Sequence, residues 1–573
     1  MWHNDLRKSF FILDSLHLDK VRSQLYGYTF AGDRILDASD RGAGENPGPD
    51  GVYVRILREP GKITVTQDYL GSFGLYLFRR DDRFILSNSF LHLADYLKWE
   101  FPLSLNREFA DYMLTAELCS ASCRETLLRE IELLDRSAVA EIDVSSRTLQ
   151  IRLTDFQENT VDPVSPEGLA ILDSWRNKWV RVLRRAAQEG NLSADLSGGF
   201  DSRLTFALLL SSGADLGRIT VFSFEDQLHT HTDDYRIASL IADRFGFRLN
   251  DTRPLSAALR PFTTEETLEL AFLAKLGVHK ELYYQFGRYK KRRYSLTGSG
   301  GECLRNHWNM DPRDFTEKAV TRTRLFGKAD PGVRIPFKHS VAAVLGRSFD
   351  DVARKMESFG RPLSGPELTQ ALYRETRCRS HFGKAMLERS LANLFTISPL
   401  LDRDLHRLRL TAAACPDENL LPALILDRYA PSLLDVPFEG GRSILPETVA
   451  FVRDLNRRQP FRDPLPPPGA AAAPPAPGAR HPAEPANDPD GFLLELFRSD
   501  RFRELFTQIY DPQVYQAVEQ NVQRREYYPL AVVYVAVGIV EARLAARFSS
   551  VSGLAARPRP EKLVHDGRRR PRP

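Results

Sequence analysis

The chain has 573 residues, 42% hydrophobic and 27% charged, enough to bury large cores over two to four domains. Its 79 Lys and Arg against 75 Asp and Glu leave a formal charge of +4, which implies no polyanionic partner such as nucleic acid. The odd, sparse cysteines (Cys119, Cys123, Cys303, Cys378, Cys415) exclude a disulfide framework, and with no signal pattern at the start they point to a cytoplasmic protein.

Residues 1–155 read as an antiparallel α+β domain. Short β-rich runs at 9–13, 52–57, 62–67, 75–78 and 84–87 are separated by Gly, Asp and Pro turns, and 138–144 pairs with 148–153 around Ser145-Ser146-Arg147. Helices are expected near 91–97 and 108–118. The Cys119-x3-Cys123 pair lacks partners at zinc spacing and reads as structural.

Residues 156–455 alternate strand and helix, as an α/β domain with a parallel sheet does. An amphipathic helix at 175–187 leads to a short strand, a Ser-Gly-Gly turn and an apolar helix start. A second strand at 218–224 is followed by a helix at 233–245, and a third at 294–297 ends in Gly298-Ser299-Gly300-Gly301-Glu302. Eleven prolines crowd residues 460–490 beside the alanines at 470–473, so 456–490 is expected to be a linker that packs no core. Residues 491–550 are expected to be helical (492–510, 513–523, 530–546). The most apolar run, 527–540, falls short of the ~20 residues a membrane span needs. Residues 551–573, with a basic run at 557–572, read as a solvated tail.

The chemistry concentrates at Leu196-Ser197-Gly198-Gly199-Phe200-Asp201-Ser202. A helix start presents unpaired N–H groups and partial positive charge. Two glycines let the backbone approach an anion, Ser197 and Ser202 offer hydroxyls, and Asp201 offers a carboxylate for a cation: the parts of a phosphate cradle. No Gly-Lys-Ser/Thr follows, so it is not a Walker A loop.

This turn resembles the SGGxDS pyrophosphate loop of ATP pyrophosphatases, and the chain from about 45 to 445 resembles the asparagine synthetase family. Asp50-Gly51, Asp68-Tyr69-Leu70-Gly71, Ser87-Asn88-Ser89 and Thr126-Leu127-Leu128-Arg129-Glu130-Ile131 are similar to segments of its glutaminase half. Thr297 to Glu302 resembles its second loop, with Ser299 and Cys303 in place of two glutamates. Ser398-Pro399-Leu400-Leu401-Asp402 resembles its Val-Pro-Phe-Leu-Asp, with Phe395 and Ile397 where the family has Glu-x-Arg. Arg377, Arg379, Lys384, Glu388 and Arg389 lie upstream as alternative charges, and Arg442 is the cation nearest the position of the family's catalytic Lys.

The resemblance implies a fold: an Ntn-hydrolase-like α+β sandwich, then an α/β parallel-sheet PP-loop synthetase domain with a helical C-terminal part. It implies ATP and Mg²⁺ as cofactors, with Asp201 and Glu302 as metal ligands. Leu196 to Ser202, Phe222, Ser223, Gly298 and Gly300 would bind nucleotide, and Asp201, Glu302 and Arg442 would be catalytic. The family's glutaminase uses an N-terminal Cys; here Trp2 stands at position 2, so no glutaminase activity is expected. The expected function is an AMP-forming amide ligase joining a small-molecule or peptide carboxylate to an amine or ammonia, with a homodimer allowed. The alternatives are ammonia-dependent asparagine synthesis and a non-catalytic nucleotide-binding homologue, with a thiouridylase-like tRNA role a distant fourth.

Overall fold

The computed structural model describes residues 8–40, 47–115, 121–224, 232–250, 258–261, 270, 272–276, 287–289, 291–321, 331–465, 497–507 and 509–523. Met1, Trp2, Cys119, the end of the expected 108–118 helix, most of the proline-rich segment, the run at 527–540, the helix at 530–546 and the basic tail lie outside them.

Among the described residues up to 153 there are ten strands: β1 (Ile12–Asp14), β2 (Gln24–Ala31), β3 (Arg34–Asp37), β4 (Gly51–Glu59), β5 (Lys62–Gln67), β6 (Tyr76–Arg80), β7 (Arg83–Ser87), β8 (Ile131–Leu133), β9 (Ala138–Asp143) and β10 (Thr148–Leu153). They form two antiparallel sheets, ordered β1-β7-β6-β8 and β10-β9-β5-β4-β2-β3. Alternation sets which face is buried: in β9, Ala138, Ala140 and Ile142 point inward and the residues between them do not. Helices α1 (Phe90–Leu97) and α2 (Arg107–Thr115) fall where expected. Ser89 caps α1 by accepting from the His92 N–H at 3.3 Å, so the Ser-Asn-Ser segment is a helix start.

The second half is built on a parallel sheet ordered β12-β11-β15-β16, from β11 (Leu192–Asp195), β12 (Thr220–Phe222), β15 (Arg293–Leu296) and β16 (Leu394–Ile397). A separate antiparallel ladder pairs β13 (Ala258–Pro261) with β14 (Gly287–Tyr289). Helix α3 (Pro166–Gln188) starts nine residues before the expected 175, because Ser165 caps it and Pro166 fits its first turn. Helices α4 (Phe200–Ser212) and α5 (Thr232–Phe245) follow β11 and β12. The described residues are therefore of mixed α and β content and include a parallel sheet.

One hydrophobic core runs through both halves, from Phe10 to Val518. Tyr28 of β2 donates to the Thr396 carbonyl at 2.9 Å and meets the Phe395 ring edge-on. An eleven-residue π-helix, Tyr373–Gly383, ties the halves further: buried Arg379 donates to the carbonyls of Leu134 and Cys123. The expected linker does not begin at 456. Helix Pro446–Arg458 runs through that position, Phe461 packs on Tyr429, and Asp463 pairs with buried Arg176 at 2.6 Å. Among the described residues no helix is long and apolar enough to cross a membrane.

Candidate functional site

Strands β12, β11 and β15 lie side by side and parallel, so the segments after them open on one edge of the sheet. That carboxyl edge is where open parallel sheets hold ligands. The loop after β11 (Leu196 to Gly199), Ser223 after β12, and Thr297 to Gly300 after β15 are thus brought to one edge.

The loops after β11 and β15 touch through their backbones. A Cβ on Gly298 would stand 2.6 Å from the Ser202 nitrogen and 2.7 Å from the Asp201 carbonyl carbon, and one on Gly301 would fall inside the Asp201 carboxylate. Only glycine permits that approach. It sets Glu302, on the short helix Gly301–Leu304, near enough to Asp201 for the two carboxylates to repel.

Within the first loop the hydroxyls shape the turn rather than reach outward. Ser202 Oγ accepts from the Ser197 N–H at 2.9 Å and lies 3.0 Å from Ser197 Oγ, and the Gly199 N–H donates to Ser197 Oγ. The Gly198 N–H donates to Asp234 at 2.8 Å. Helix α4 itself begins at Gly199 with no side-chain cap, leaving its first-turn amides for an anion. Leu196 and Phe200 are core residues: the Leu196 N–H donates to the Phe222 carbonyl, and Phe200 stacks on Phe438 with centroids 4.2 Å apart.

Ser223 is locked by Asn250, which accepts from its N–H at 2.9 Å and donates to its carbonyl at 3.0 Å. This strand end presents Phe222, 44% exposed, while the Ser223 backbone edge is already taken by Asn250.

Three residues not singled out in the sequence are central. Arg305 donates to both oxygens of Asp201 at 2.8 Å. Burial pushes the Asp201 carboxyl up to about 6, with Arg305 pulling it down and Glu302 pushing it up. Arg203, wholly buried, donates to the carbonyls of Val436, Pro437, Leu433 and Gly198, with its guanidinium 3.8 Å above the Phe438 ring. It straps residues 433–438 to the loop. That strap delivers Glu439, whose N–H donates to the Gly198 carbonyl and whose side chain lies against Gly198 and Gly199. Arg203 had a local signal, since it directly follows the motif. Arg305 and Glu439 had none, because their partners lie 104 residues or more away.

Arg442 pairs with Glu439 at 3.0 Å and is half exposed, so its charge is partly spent on that carboxylate. A hydrogen bond with Asp234, then burial, push the Glu439 carboxyl up to about 7. Asp234 and Glu439 share that proton, and its loss as pH rises leaves a second negative charge against Gly198 and Gly199. Affinity for an anion at that turn is therefore expected to fall as pH rises from 6 to 8, and Glu439→Gln to flatten the fall, as titration calorimetry with ATP at several pH values would read.

Asp201 and Glu302 suit Mg²⁺, a hard cation commonly held by one or two carboxylates and phosphate oxygens. Arg305 already holds both Asp201 oxygens, so a metal there has to displace or share with it. Among the described residues no cluster of three or more His, Cys, Asp or Glu is arranged to hold a metal by protein groups alone. Ser398 to Leu401 follows β16 onto the same edge and packs on the second glycine loop: Ser398 Oγ lies 3.1 Å from Thr297 Oγ1, and a Cβ on Gly300 would run into Leu401, whereas Asp402 turns toward the N-terminal half. Asp402 accepts from Lys178 at 2.6 Å and Trp179 Nε1 at 2.9 Å, and Lys178 also holds Asp50 of the N-terminal half.

No family model matches the chain, and no curated protein matches it. Among solved structures, one similar chain is the glutamine-dependent NAD+ synthetase from Acinetobacter baumannii, in complex with adenosine diphosphate. It is 12% identical, the match covers 66% of this chain and 67% of that one, and the TM-score is 0.13. A likeness of that size carries no argument about this chain.

Proposed function

We propose that the chain is an ATP-dependent ligase that activates a carboxylate as its adenylate, releases pyrophosphate and passes the acyl group to an amine or ammonia. The observation that carries this is the contact between the two glycine loops. Gly298 and Gly301 bring the Glu302 segment flush against Asp201 and the uncapped start of α4, so carboxylates and helix amides converge on one edge. Amides there bind phosphate, and Asp201 with Glu302 would hold Mg²⁺, which neutralises charge on phosphate oxygens. Arg305, and Arg442 at the rim, add fixed positive charge beside the departing pyrophosphate.

The reading includes no glutaminase. Among the described residues, the one cysteine of the N-terminal half, Cys123, is buried with its thiol pushed up by burial, which disfavours the thiolate. Of the expected alternatives, asparagine synthesis is the narrower case of this reaction, with aspartate as the acid.

The test is ATP–pyrophosphate exchange with Mg²⁺ over a panel of carboxylic acids. Acid-dependent exchange with at least one is expected, with no glutamate released from glutamine. The grip of Arg305 on Asp201 favours one second reading, a nucleotide-binding protein without turnover. On that reading ATP binds saturably, yet no acid supports exchange and Arg305→Met does not restore it.

A further inference from the structure

A cavity of about 590 Å³ lies away from the phosphate loop, where the segment joining the two halves meets the end of the long helix Pro331–Ser358 and the π-helix. Its size is that of a small-molecule site. The floor carries Arg136, Lys355 and Arg374 interleaved with Glu158 and Glu375, all nearly buried. Glu158 bridges Arg136 and Arg374, and Glu375 bridges Arg136 and Lys355. Phe156, Met356, Phe359 and Leu363, each half-buried, form apolar walls. Arg361, Arg409, Glu367 and Glu418 stand around the mouth.

Burying such a ladder stabilises a fold poorly compared with apolar packing of the same volume, so stability does not account for it. Five cations and four carboxylates line one space, so a ligand of a single charge sign is opposed by half of the lining. A ligand bearing both signs is matched by a lining of both signs, with an apolar side chain on the walls.

We propose that this cavity is a binding site for a zwitterion with an apolar side chain, a free hydrophobic α-amino acid or a short peptide. It does not depend on the ligase reading. It does touch that site from behind: Gln370, buried in the lining, donates through Nε2 to the carbonyls of both Glu302 and Arg305 at 3.2 Å.

The experiment is titration calorimetry on the full chain without ATP. The probes are L-leucine, L-phenylalanine and the dipeptide Leu-Phe, beside phenethylamine (cation only) and phenylpropionate (anion only). Saturable binding of at least one zwitterion is expected, with both single-charge analogues weaker by about tenfold or more. Leu363→Trp, which fills the space from a half-buried wall, should weaken binding by at least about tenfold. Should that variant not fold, Arg361→Gln at the mouth must give a loss of the same sign. No saturable binding of any zwitterion, equal binding of a single-charge analogue, or binding unchanged in the folded variant overturns the proposal. Because no nucleotide is present, failure here is distinct from failure of ATP–pyrophosphate exchange.

Discussion

Asp201→Asn is expected to abolish ATP–pyrophosphate exchange, by at least about a hundredfold, while leaving the folded state close to wild-type stability. The carboxylate sits between Arg305, the uncapped turn of α4 and Glu302, so it is the group through which a cation and a phosphate would meet. Asn keeps the shape and removes the charge. Stability should change by no more than about 1 kcal/mol at neutral pH, because two effects oppose. The variant loses the Arg305 pair, but it also loses a carboxylate whose burial is unfavourable. The sign follows from the shift. The folded-state pKa is raised from 3.8 to about 6, so the folded form holds this proton more tightly than the unfolded chain. The corresponding stability is present below 3.8 and is lost as pH rises through about 6. Wild type should therefore lose ground to Asp201→Asn over that window in urea melts. Retained exchange in the variant would remove Asp201 from the site.

What the sequence shows, it shows where the signal is local. The Ser-Gly-Gly-Phe-Asp-Ser turn is a contiguous motif at a strand–helix junction, and the structure puts it there, with Gly298 against it. The ends of β5 and β10 match their runs, because alternation and flanking turns mark both. The Gln-Leu-Tyr-Gly-Tyr-Thr-Phe-Ala run of β2 is β-rich but interrupted by Gly27, which in the structure is a close approach, with the Phe73 ring 2.8 Å from where a Cβ would stand. Strand β16 was hidden under a motif comparison of residues 395–402. The side chains that tune the site, Arg305 on Asp201 and Glu439 on Gly198, depend on tertiary contacts that no window of sequence contains. Arg442, chosen for its charge, proves to be tied to Glu439. Asp50 and Asp402 stand in motifs of different halves, and nothing in the chain near Lys178 marks it as their common partner.

That lysine carries the largest stability effect expected. Lys178→Met should destabilise the fold by about 3 kcal/mol in urea unfolding at pH 7. Lys178 reaches Asp50 and Asp402 together, and both carboxylates are almost wholly buried. Asp402 also receives Trp179 Nε1 and the N–H groups of Asp404 and Leu405, and Asp50 receives the Arg403 N–H at 3.0 Å. Those bonds orient the two carboxylates but leave their repulsion to be balanced by one ammonium. Burial, then the Asp402 charge, already push the Asp50 carboxyl up to about 6 even with Lys178 in place. Taking the ammonium away raises the Asp50 carboxyl further above its unfolded value. The folded variant then holds that proton more tightly, so its deficit should be smallest at low pH, where Asp50 is protonated in either state, and widen as pH rises toward 7. Lys178→Met with Asp50→Asn should recover part of the loss, because a single buried carboxylate, Asp402, with three remaining donors is tolerable where two facing each other are not. A deficit that does not vary with pH, or a double variant no better than the single, would show that Lys178 acts through its packed aliphatic stem and not through the charge it places between the two halves.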